Sequence, residues 1–199
     1  MYTIFYCSSS TGIRPRQNRN HMETLTYSHL DSPVGPLTIA MSHAGLALLS
    51  FGRELPHKLV AQRIEWREST TATVDVHRQL DEYFAGKRRK FTVPLDLRGT
   101  EFQKQCWEQL LQISYGQTKS YAEIAHAVGR PSAYRAVGQS NHHNPIAIIV
   151  PCHRVLAAGT ELGGYGGGLP TKAFLLRLEG AEFHDDESAK QNQSALSFT

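Results

Sequence analysis

Cys152 and His153 carry the clearest chemical signal in the sequence. They follow an apolar run, residues 146–150, whose composition predicts a fully buried strand. Pro151 is expected to end that strand, because proline has no N–H group to donate to a β-ladder. A thiol and an imidazole directly beyond a rigid element are typical of a positioned reaction centre. The segment therefore predicts chemistry by a cysteine nucleophile.

The order of the two residues limits how the thiol can be activated. Neighbouring side chains of an extended chain point to opposite faces, so a direct hydrogen bond between Cys152 and His153 is not expected. The workable arrangement is proton abstraction by His153 through a water molecule, with a third group orienting the imidazole. The positive charge of Arg154 would lower the thiol pKa, which favours a polarised site over a buried inert cysteine.

Glu179 is a candidate for the orienting group. It closes an apolar helical segment, residues 172–178, just before Gly180. A carboxylate in the last turn of a helix opposes the helix dipole, so it needs a compensating cation or imidazole. From spacing alone, an ordinary exposed glutamate at a frayed helix end is the favoured interpretation.

A metal site is not expected. Adjacent cysteine and histidine residues rarely bind one ion together, and the sequence has no C-x-x-C or H-x-x-x-H spacing. The glycine-rich segment 163–168 lacks the Gly-Lys-Ser/Thr ending of a phosphate loop. It is either a plain linker or a lid that lets the backbone approach a flat ligand, with Tyr165 as a wall.

Length and composition place these residues in a globular protein. The chain has 199 residues, enough for one domain or two small ones. The net charge of +3 allows nucleic-acid binding without requiring it. No apolar run approaches the ~20 residues of a membrane helix. The three cysteines are widely spaced and odd in number, which indicates a reducing compartment rather than a disulfide framework.

The N-terminal half is predicted to be β followed by α. Alternating apolar residues predict a strand over 25–29, and two more strands are predicted over 37–41 and 46–51, arranged with it as an antiparallel meander. Helical spacing predicts a helix over 74–83, which Gly86 ends. The basic run 87–90 is interpreted as a solvated loop, with nucleic-acid contact as the less favoured alternative.

The C-terminal half is predicted to be mostly helical. Two capping-box pairs, Thr100 with Gln103 and Ser120 with Glu123, mark helix starts. Cys106 lies on the apolar stripe of the first of these helices, which indicates a structural thiol. The second helix ends at Gly129, and a third is predicted over 132–141. A short helix pair with a tight turn is typical of a helix-turn-helix, although the spacing alone is weakly specific.

The segment 151–155, Pro-Cys-His-Arg-Val, resembles the active-site signature of the O6-alkylguanine-DNA alkyltransferases, the methylated-DNA–protein-cysteine methyltransferases. The similarity covers roughly residues 30–180. Further segments are similar to the first helix of that family's helix-turn-helix, its recognition helix, asparagine hinge, lid loop and last helix: residues 120–125, 135–138, 144–145, 165–168 and 175–180.

The resemblance implies two folded domains between two tails. Residues 23–97 would form an α/β, ribonuclease-H-like domain. Residues 98–182 would form a mostly α, winged-helix-like domain with a helix-turn-helix, which binds DNA and accepts the alkyl group. Residues 1–22 are expected to be a disordered extension and residues 183–199 a polar tail. The expected location is the cytoplasm of a bacterium or the nucleus of a eukaryote.

The resemblance also implies residue roles. Cys152 would be the alkyl acceptor, His153 its water-mediated base and Glu179 the group that orients His153, which reverses the expectation from spacing. Asn144 would fix the hinge and donate a hydrogen bond near the thiol, while Arg135 would fill the gap left by a flipped nucleotide. The remaining expected contacts are to DNA, from Tyr121, Ser132, Ala133 and Tyr134, and to guanine, from Val150, Val155 and Tyr165.

The implied function is single-turnover transfer of an alkyl group from O6 of guanine, and from O4 of thymine, in double-stranded DNA to Cys152. A monomer without cofactor, metal or membrane is expected. Ser42 and Ala47 occupy positions where some relatives bind structural zinc, and Tyr134 is bulky for a recognition helix that enters a minor groove.

Three alternatives stand beside this function. A non-catalytic sensor of the same fold would lack Cys152, and a helix-turn-helix regulator does not explain residues 151–154. A cysteine hydrolase is the third. Transfer of label from alkylated DNA to the protein separates all of them.

Overall fold

The structure is a computed structural model that describes residues 22–55 and 64–184. The described residues divide into two compact units, with the boundary between Arg98 and Gly99. The expected extension, except for Met22, and the expected tail from residue 185 onward lie outside the described residues.

The N-terminal unit is built on a four-stranded sheet in the order β3-β2-β1-β4. Strands β1 (Glu23–Ser32), β2 (Gly35–Ser42) and β3 (Gly45–Phe51) pair antiparallel, which confirms the predicted meander. Strand β4 (Ile64–Glu68) pairs parallel with β1 and was not predicted. It is a short edge strand without a fully buried residue, so its apolar signal is weak.

Helix α1 (Val74–Phe84) covers this sheet with an apolar face that includes Leu80 and Tyr83. The predicted helix 74–83 is confirmed. A buried polar chain also joins strand to helix, because the Ser28 hydroxyl lies 2.6 Å from the Thr73 hydroxyl and 2.8 Å from His77 Nε2. The patterns of apolar residues were therefore sufficient to predict three of the four strands and the helix of this unit.

The C-terminal unit is mostly helical. Its elements are α2 (Glu101–Leu111), β5 (Lys119–Ser120), α3 (Tyr121–Ala127), α4 (Tyr134–His142), β6 (Val155–Leu156) and α5 (Leu169–Glu179). Both predicted capping boxes are present, and Cys106 is buried on α2 as predicted. Helices α3 and α4 pack together as the predicted helix pair, with α4 beginning two residues later than predicted.

The predicted strand over residues 146–150 is wrong. All five residues are buried, but they form a bridge residue at Ile146, a turn over residues 147–149 and a bend at Val150, and Ile148 has a φ of 68°. The Asn144 side chain satisfies both ends of this segment, since Oδ1 accepts from the Ile146 N–H at 3.0 Å and Nδ2 donates to the Val150 carbonyl at 2.8 Å. These two backbone groups are therefore satisfied by a side chain and not by a neighbouring strand. An apolar run reports burial and does not fix the backbone conformation.

Candidate active site

Cys152 begins a single turn of 3-10 helix, Cys152–Arg154, directly after Pro151. The extended chain expected around Pro151 is therefore absent at the thiol. The Cys152 side chain is nearly enclosed, with 7% of the residue exposed, and Asn144 Nδ2 lies 3.1 Å from Sγ. The same amide group that holds the 146–150 turn thus also donates to the sulfur.

The imidazole of His153 binds Glu179. Its Nε2 atom lies 2.9 Å from Glu179 Oε1, and both side chains are completely buried. A carboxylate can only accept, so Nε2 carries the proton and Nδ1 holds a lone pair. Nδ1 is buried and has no protein hydrogen-bond partner among the described residues. The exposed glutamate expected from spacing is wrong, because ion pairing and hydrogen bonds keep this carboxylate inside.

Arg154 completes the environment of Glu179. Its Nε and Nη2 atoms donate to the two carboxylate oxygens at 2.8 and 2.9 Å, and Nη1 donates to the Ile113 carbonyl at 2.6 Å. The Gly116 N–H adds a donor to Oε2 at 3.2 Å. Gly116 has a φ of +76°, and a Cβ there would lie 2.8 Å from the Glu179 carbonyl oxygen, so glycine is required.

Burial and charge set the protonation states of the site. Burial raises the pKa of the Cys152 thiol, although the Asn144 hydrogen bond and the Lys172 charge act in the opposite direction. Burial lowers the pKa of His153 despite Glu179, so the imidazole is neutral near pH 7. Burial alone would raise the pKa of Glu179, but its bonds to His153 and Arg154 outweigh it and lower that pKa. The site therefore holds a neutral thiol, a neutral base and a carboxylate.

Lys172 is a second buried cation near the thiol. Its ammonium donates to the Val155 carbonyl at 2.6 Å and to the Leu162 carbonyl, and burial lowers its pKa to about 8. The side chain therefore joins α5 to the segment that follows Cys152.

Sequence reasoning missed the binding roles of Arg154 and Lys172. The available signals were a charge directly after Cys-His and a lysine within an apolar helical segment.

A cavity of about 230 Å³ opens beside the thiol. Its walls come from α3, from α4 and from the glycine-rich loop, together with the sulfur itself. The lining residues are Tyr121, Gly138, Gln139, Asn141, His142, Cys152, Gly164, Tyr165 and Gly166.

Three predicted site residues meet at this cavity, namely Tyr121, Cys152 and Tyr165. The tyrosine from the glycine-rich loop is therefore at the wall, as the lid interpretation expects. Val150 and Val155 are completely buried and are not among the lining residues. Their carbonyls are engaged by Asn144 and Lys172 respectively.

Four of the five predicted DNA-contacting residues cluster at the start of α4, and the fifth, Tyr121, begins α3. Ser132 and Arg135 are exposed, Ala133 is half-buried, and Tyr134 has 46% of its surface exposed. The Arg135 guanidinium lies 5.6 Å from the centre of the Tyr134 ring. These side chains are therefore available to a ligand that approaches the helix pair.

Neither a metal cluster nor a membrane span is seen in the described part of the chain. Within residues 22–55 and 64–184, no group of three or more His, Cys, Asp and Glu side chains could hold a metal ion. At the two positions that the resemblance associates with zinc in some relatives, Ser42 donates to Asp96 at 2.7 Å and Ala47 is packed in the core. No helix in these ranges is long and apolar enough to cross a membrane.

Comparison with known protein families defines the class of the molecule. Residues 25–97 match the model described as 6-O-methylguanine DNA methyltransferase, ribonuclease-like domain. Residues 101–181 match the model described as 6-O-methylguanine DNA methyltransferase, DNA binding domain. The molecule is thus a two-domain protein in which a ribonuclease-like domain precedes a DNA-binding one.

Two individual relatives share close to half of their residues with this chain. The methylated-DNA–protein-cysteine methyltransferase of Mycobacterium tuberculosis is 50% identical over 153 residues, or 77% of this chain and 91% of that protein. The Methanosarcina acetivorans protein of the same name is 46% identical over 78% of this chain and 98% of its own.

Solved structures agree with these relatives. The crystal structure of the M. tuberculosis O6-methylguanine methyltransferase has a TM-score of 0.72 and 47% identity, covering 78% of this chain and 93% of that one. The M. tuberculosis protein in complex with DNA has a TM-score of 0.71 and 47% identity, over 78% and 92% of the two chains. The chain belongs to the 6-O-methylguanine DNA methyltransferase family. The resemblance and the fold class expected from the sequence are confirmed.

Proposed function

We propose that this chain repairs alkylated DNA directly, by moving the alkyl group from O6 of guanine, and from O4 of thymine, to Cys152. Its activity is that of a methylated-DNA–protein-cysteine methyltransferase. The observation that carries the assignment is the juxtaposition of a buried Cys152 thiol, its Asn144 donor and the buried His153–Glu179 pair. In this assignment residues 23–97 are the ribonuclease-like domain and residues 98–182 bind DNA and accept the alkyl group.

The chemistry follows from the protonation states. A water molecule passes the thiol proton to Nδ1 of His153, the ring nitrogen that keeps a lone pair. The Cys152 sulfur attacks the alkyl carbon, a carbon–sulfur bond forms, and the carbon–oxygen bond breaks. The guanine leaves with the bonding electrons on O6 and regains one proton. Glu179 orients the imidazole and stabilises its charged form.

Asn144 has two tasks in this scheme. Its amide holds the turn that precedes Pro151, and its Nδ2 donor lies 3.1 Å from the sulfur. A donor at that distance favours the thiolate over the thiol, because the hydrogen bond strengthens when the sulfur becomes charged. The residue therefore lowers the barrier to attack while it fixes the nucleophile in place.

DNA recognition is assigned to the helix pair. The duplex would lie against the start of α4, where Ser132, Ala133 and Tyr134 are accessible. Arg135 would occupy the space that the alkylated nucleotide leaves when it turns out of the duplex, as chemistry on a stacked base requires. Tyr121, at the cavity wall, would meet the extruded nucleotide.

The base would occupy the cavity beside the sulfur, with Tyr165 as one wall. We infer that one protein molecule acts as a monomer on double-stranded DNA. The reaction needs no cofactor, since the thiol is both nucleophile and acceptor. Because the substrate is genomic DNA, the proposal places the protein in the bacterial cytoplasm or the eukaryotic nucleus.

Label transfer tests this function against its rivals. Duplex DNA with radiolabelled O6-methylguanine should transfer its methyl group to the wild-type protein, and the Cys152→Ser variant should receive none. That variant should still bind DNA, because phosphate contacts supply much of the affinity. A sensor or regulator would leave the label on DNA, and a hydrolase would release it into solution. Either result would refute the proposal.

A further inference from the structure

Residues 181–184, here called the C-terminal segment, follow α5 and pack back against the chain that leads into the glycine-rich loop. The Phe183 side chain is half-buried and packs against a small apolar cluster. The members of that cluster are Leu156, Leu176 and Ala181. Leu162, the last residue before the glycine-rich loop, packs against the same cluster. A single apolar cluster thus joins the C-terminal segment to the entrance of the loop.

Polar contacts connect the same two parts of the chain. The His184 N–H donates to the Thr160 carbonyl at 2.9 Å, and His184 forms an isolated parallel β-bridge with Glu161. The Arg177 guanidinium of α5 lies 5.9 Å from the centre of the Phe183 ring. Phe183 is therefore held both by α5 and by the chain at the loop entrance.

The glycine-rich loop depends on its two ends for its position. Glycine restricts the backbone little, so segment 163–168 has little stiffness of its own. One end continues into α5, and Lys172 of that helix donates to the Leu162 carbonyl at the other end. The loop supplies Tyr165 and two glycines to the wall of the cavity beside the Cys152 sulfur. The location of that wall therefore depends on the contacts that hold the loop entrance.

We propose that Phe183 is a positioning residue for the base-binding cavity, because it holds the entrance of the glycine-rich loop and thereby sets the position of Tyr165 against the alkylated base. This inference rests on the proposed function, in which that cavity receives the base. Phe183 is not among the residues that line the cavity, so its effect on the base passes through the loop. Its removal weakens binding of the base and leaves the reactivity of the Cys152 thiol intact.

Phe183→Ala tests the inference with free O6-benzylguanine, which needs no duplex. The concentration of this base that gives the half-maximal rate of benzyl transfer should rise about tenfold, because binding must then also order the loop. The limiting rate at saturation should change little. Alkylation of Cys152 by iodoacetamide, measured on the peptide that contains it, should not slow, because this reagent needs the thiol and its base but not the loop. Phe183→Leu should recover most of the affinity.

Glu182→Ala is the matched control, since Glu182 is exposed in the same segment and should leave all three measurements unchanged. His184→Pro repeats the test, should Phe183→Ala fail to fold. Proline has no N–H to donate to the Thr160 carbonyl, so this variant should weaken base binding in the same direction.

Slower alkylation by iodoacetamide in these variants would mean that the C-terminal segment supports the catalytic network, and would overturn the inference. An unchanged half-maximal concentration of O6-benzylguanine would overturn it as well, whether or not the limiting rate falls. Failure of the wild-type protein to accept any benzyl or methyl group would instead refute the proposed function.

Discussion

A buried thiol is a weak nucleophile until a base removes its proton. Burial raises the pKa of Cys152, so little thiolate exists near neutral pH without help. His153 can remove the thiol proton because burial also keeps its imidazole neutral, which leaves the lone pair of Nδ1 able to accept a proton. The same low-dielectric environment thus creates the need for a base and maintains the base in its active form.

The pH dependence of the reaction follows from the direction of the His153 shift. The ordinary histidine pKa is 6.5 and burial places the folded value lower, so the imidazole remains a base as pH falls through 6.5. The rate constant with free O6-benzylguanine should therefore stay level through that range and fall only at lower pH. Stopped-flow or quench measurements between about pH 5 and 8 test this. A half-loss centred near the ordinary value would argue against His153 as a buried base.

Glu179→Gln should weaken both the reaction and the fold. An amide cannot balance the charge of Arg154 or stabilise an imidazolium, so the unfolding free energy should fall by about 3 kcal/mol. Because its neighbours lower the pKa of Glu179, its stabilisation is present above the ordinary glutamate pKa and is lost as pH falls through the folded value. The variant's stability should therefore depend less on acid pH than that of the wild type.

Denaturant titrations at several pH values, with single-turnover rates at neutral pH, measure both effects. Glu161→Gln is the control, since Glu161 is exposed in the same unit. Wild-type stability and rate in the Glu179 variant would remove this carboxylate from both the network and the mechanism.

The first helix of the helix pair, α3, begins at a capping box, the same type of signal that begins α2. Ser120 accepts from the Glu123 N–H at 3.2 Å, and the Glu123 carboxylate accepts from the Ser120 N–H at 2.7 Å. This capping box fixes the start of α3, and Tyr121 at the cavity wall is the first residue of that helix. The cap therefore sets the position of a proposed binding residue as well as the helix boundary.

Ser120→Ala should reduce the unfolding free energy by about 1 kcal/mol, because the N-terminal N–H groups of α3 lose their acceptor. Chemical denaturation at pH 7 measures the change. Ser114→Ala, at an exposed position outside the helices, should leave stability nearly unchanged. A loss of similar size in both variants would mean that the cap contributes nothing specific.

Arg135→Ala should separate recognition of the duplex from chemistry. Arg135 is exposed at the start of α4, away from the buried His153–Glu179 pair. Repair of O6-methylguanine in duplex DNA should slow at least tenfold, whereas reaction with free O6-benzylguanine should change little, because the free base needs no extrusion. Arg53→Ala in the N-terminal unit is the charge-matched control. Equal losses on both substrates would assign Arg135 to the cavity or the fold.

At the scale of the whole molecule, the proposed reaction consumes the protein. The product is a thioether at Cys152, and its carbon–sulfur bond does not hydrolyse under mild conditions. His153 is the only base proposed for the site, and its task ends when the thiolate has formed. One protein molecule therefore repairs one lesion.

Excess methylated DNA should deliver one methyl group per protein molecule, with no slow steady-state phase. The methylated protein should also be less stable by about 1–3 kcal/mol, because an added group in a close-packed site causes strain. Intact-mass measurement gives the stoichiometry, and thermal unfolding before and after reaction gives the stability. The Cys152→Ser variant should show neither change. Turnover beyond one equivalent would refute the acceptor mechanism.

The sequence by itself determined the features that depend on neighbours along the chain. The capping boxes at Thr100 and Ser120, the β-meander and the first helix could be predicted because their signals lie within a few residues of one another. The candidate nucleophile could be predicted because the Pro-Cys-His-Arg-Val signature is continuous in the sequence.

Tertiary structure decided the rest, because the deciding contacts join residues far apart in the chain. Glu179 is buried only because His153 and Arg154, 26 and 25 residues earlier, meet its two oxygens. Residues 146–150 turn instead of extending, and here the partner is near in the chain: the Asn144 side chain bonds to the Ile146 N–H and to the Val150 carbonyl, which no pattern of apolar residues indicates. Asn141 has no sequence signal at all, and only the folded structure shows that this residue lines the cavity and that its side-chain amide is buried without a hydrogen-bond partner among the described residues.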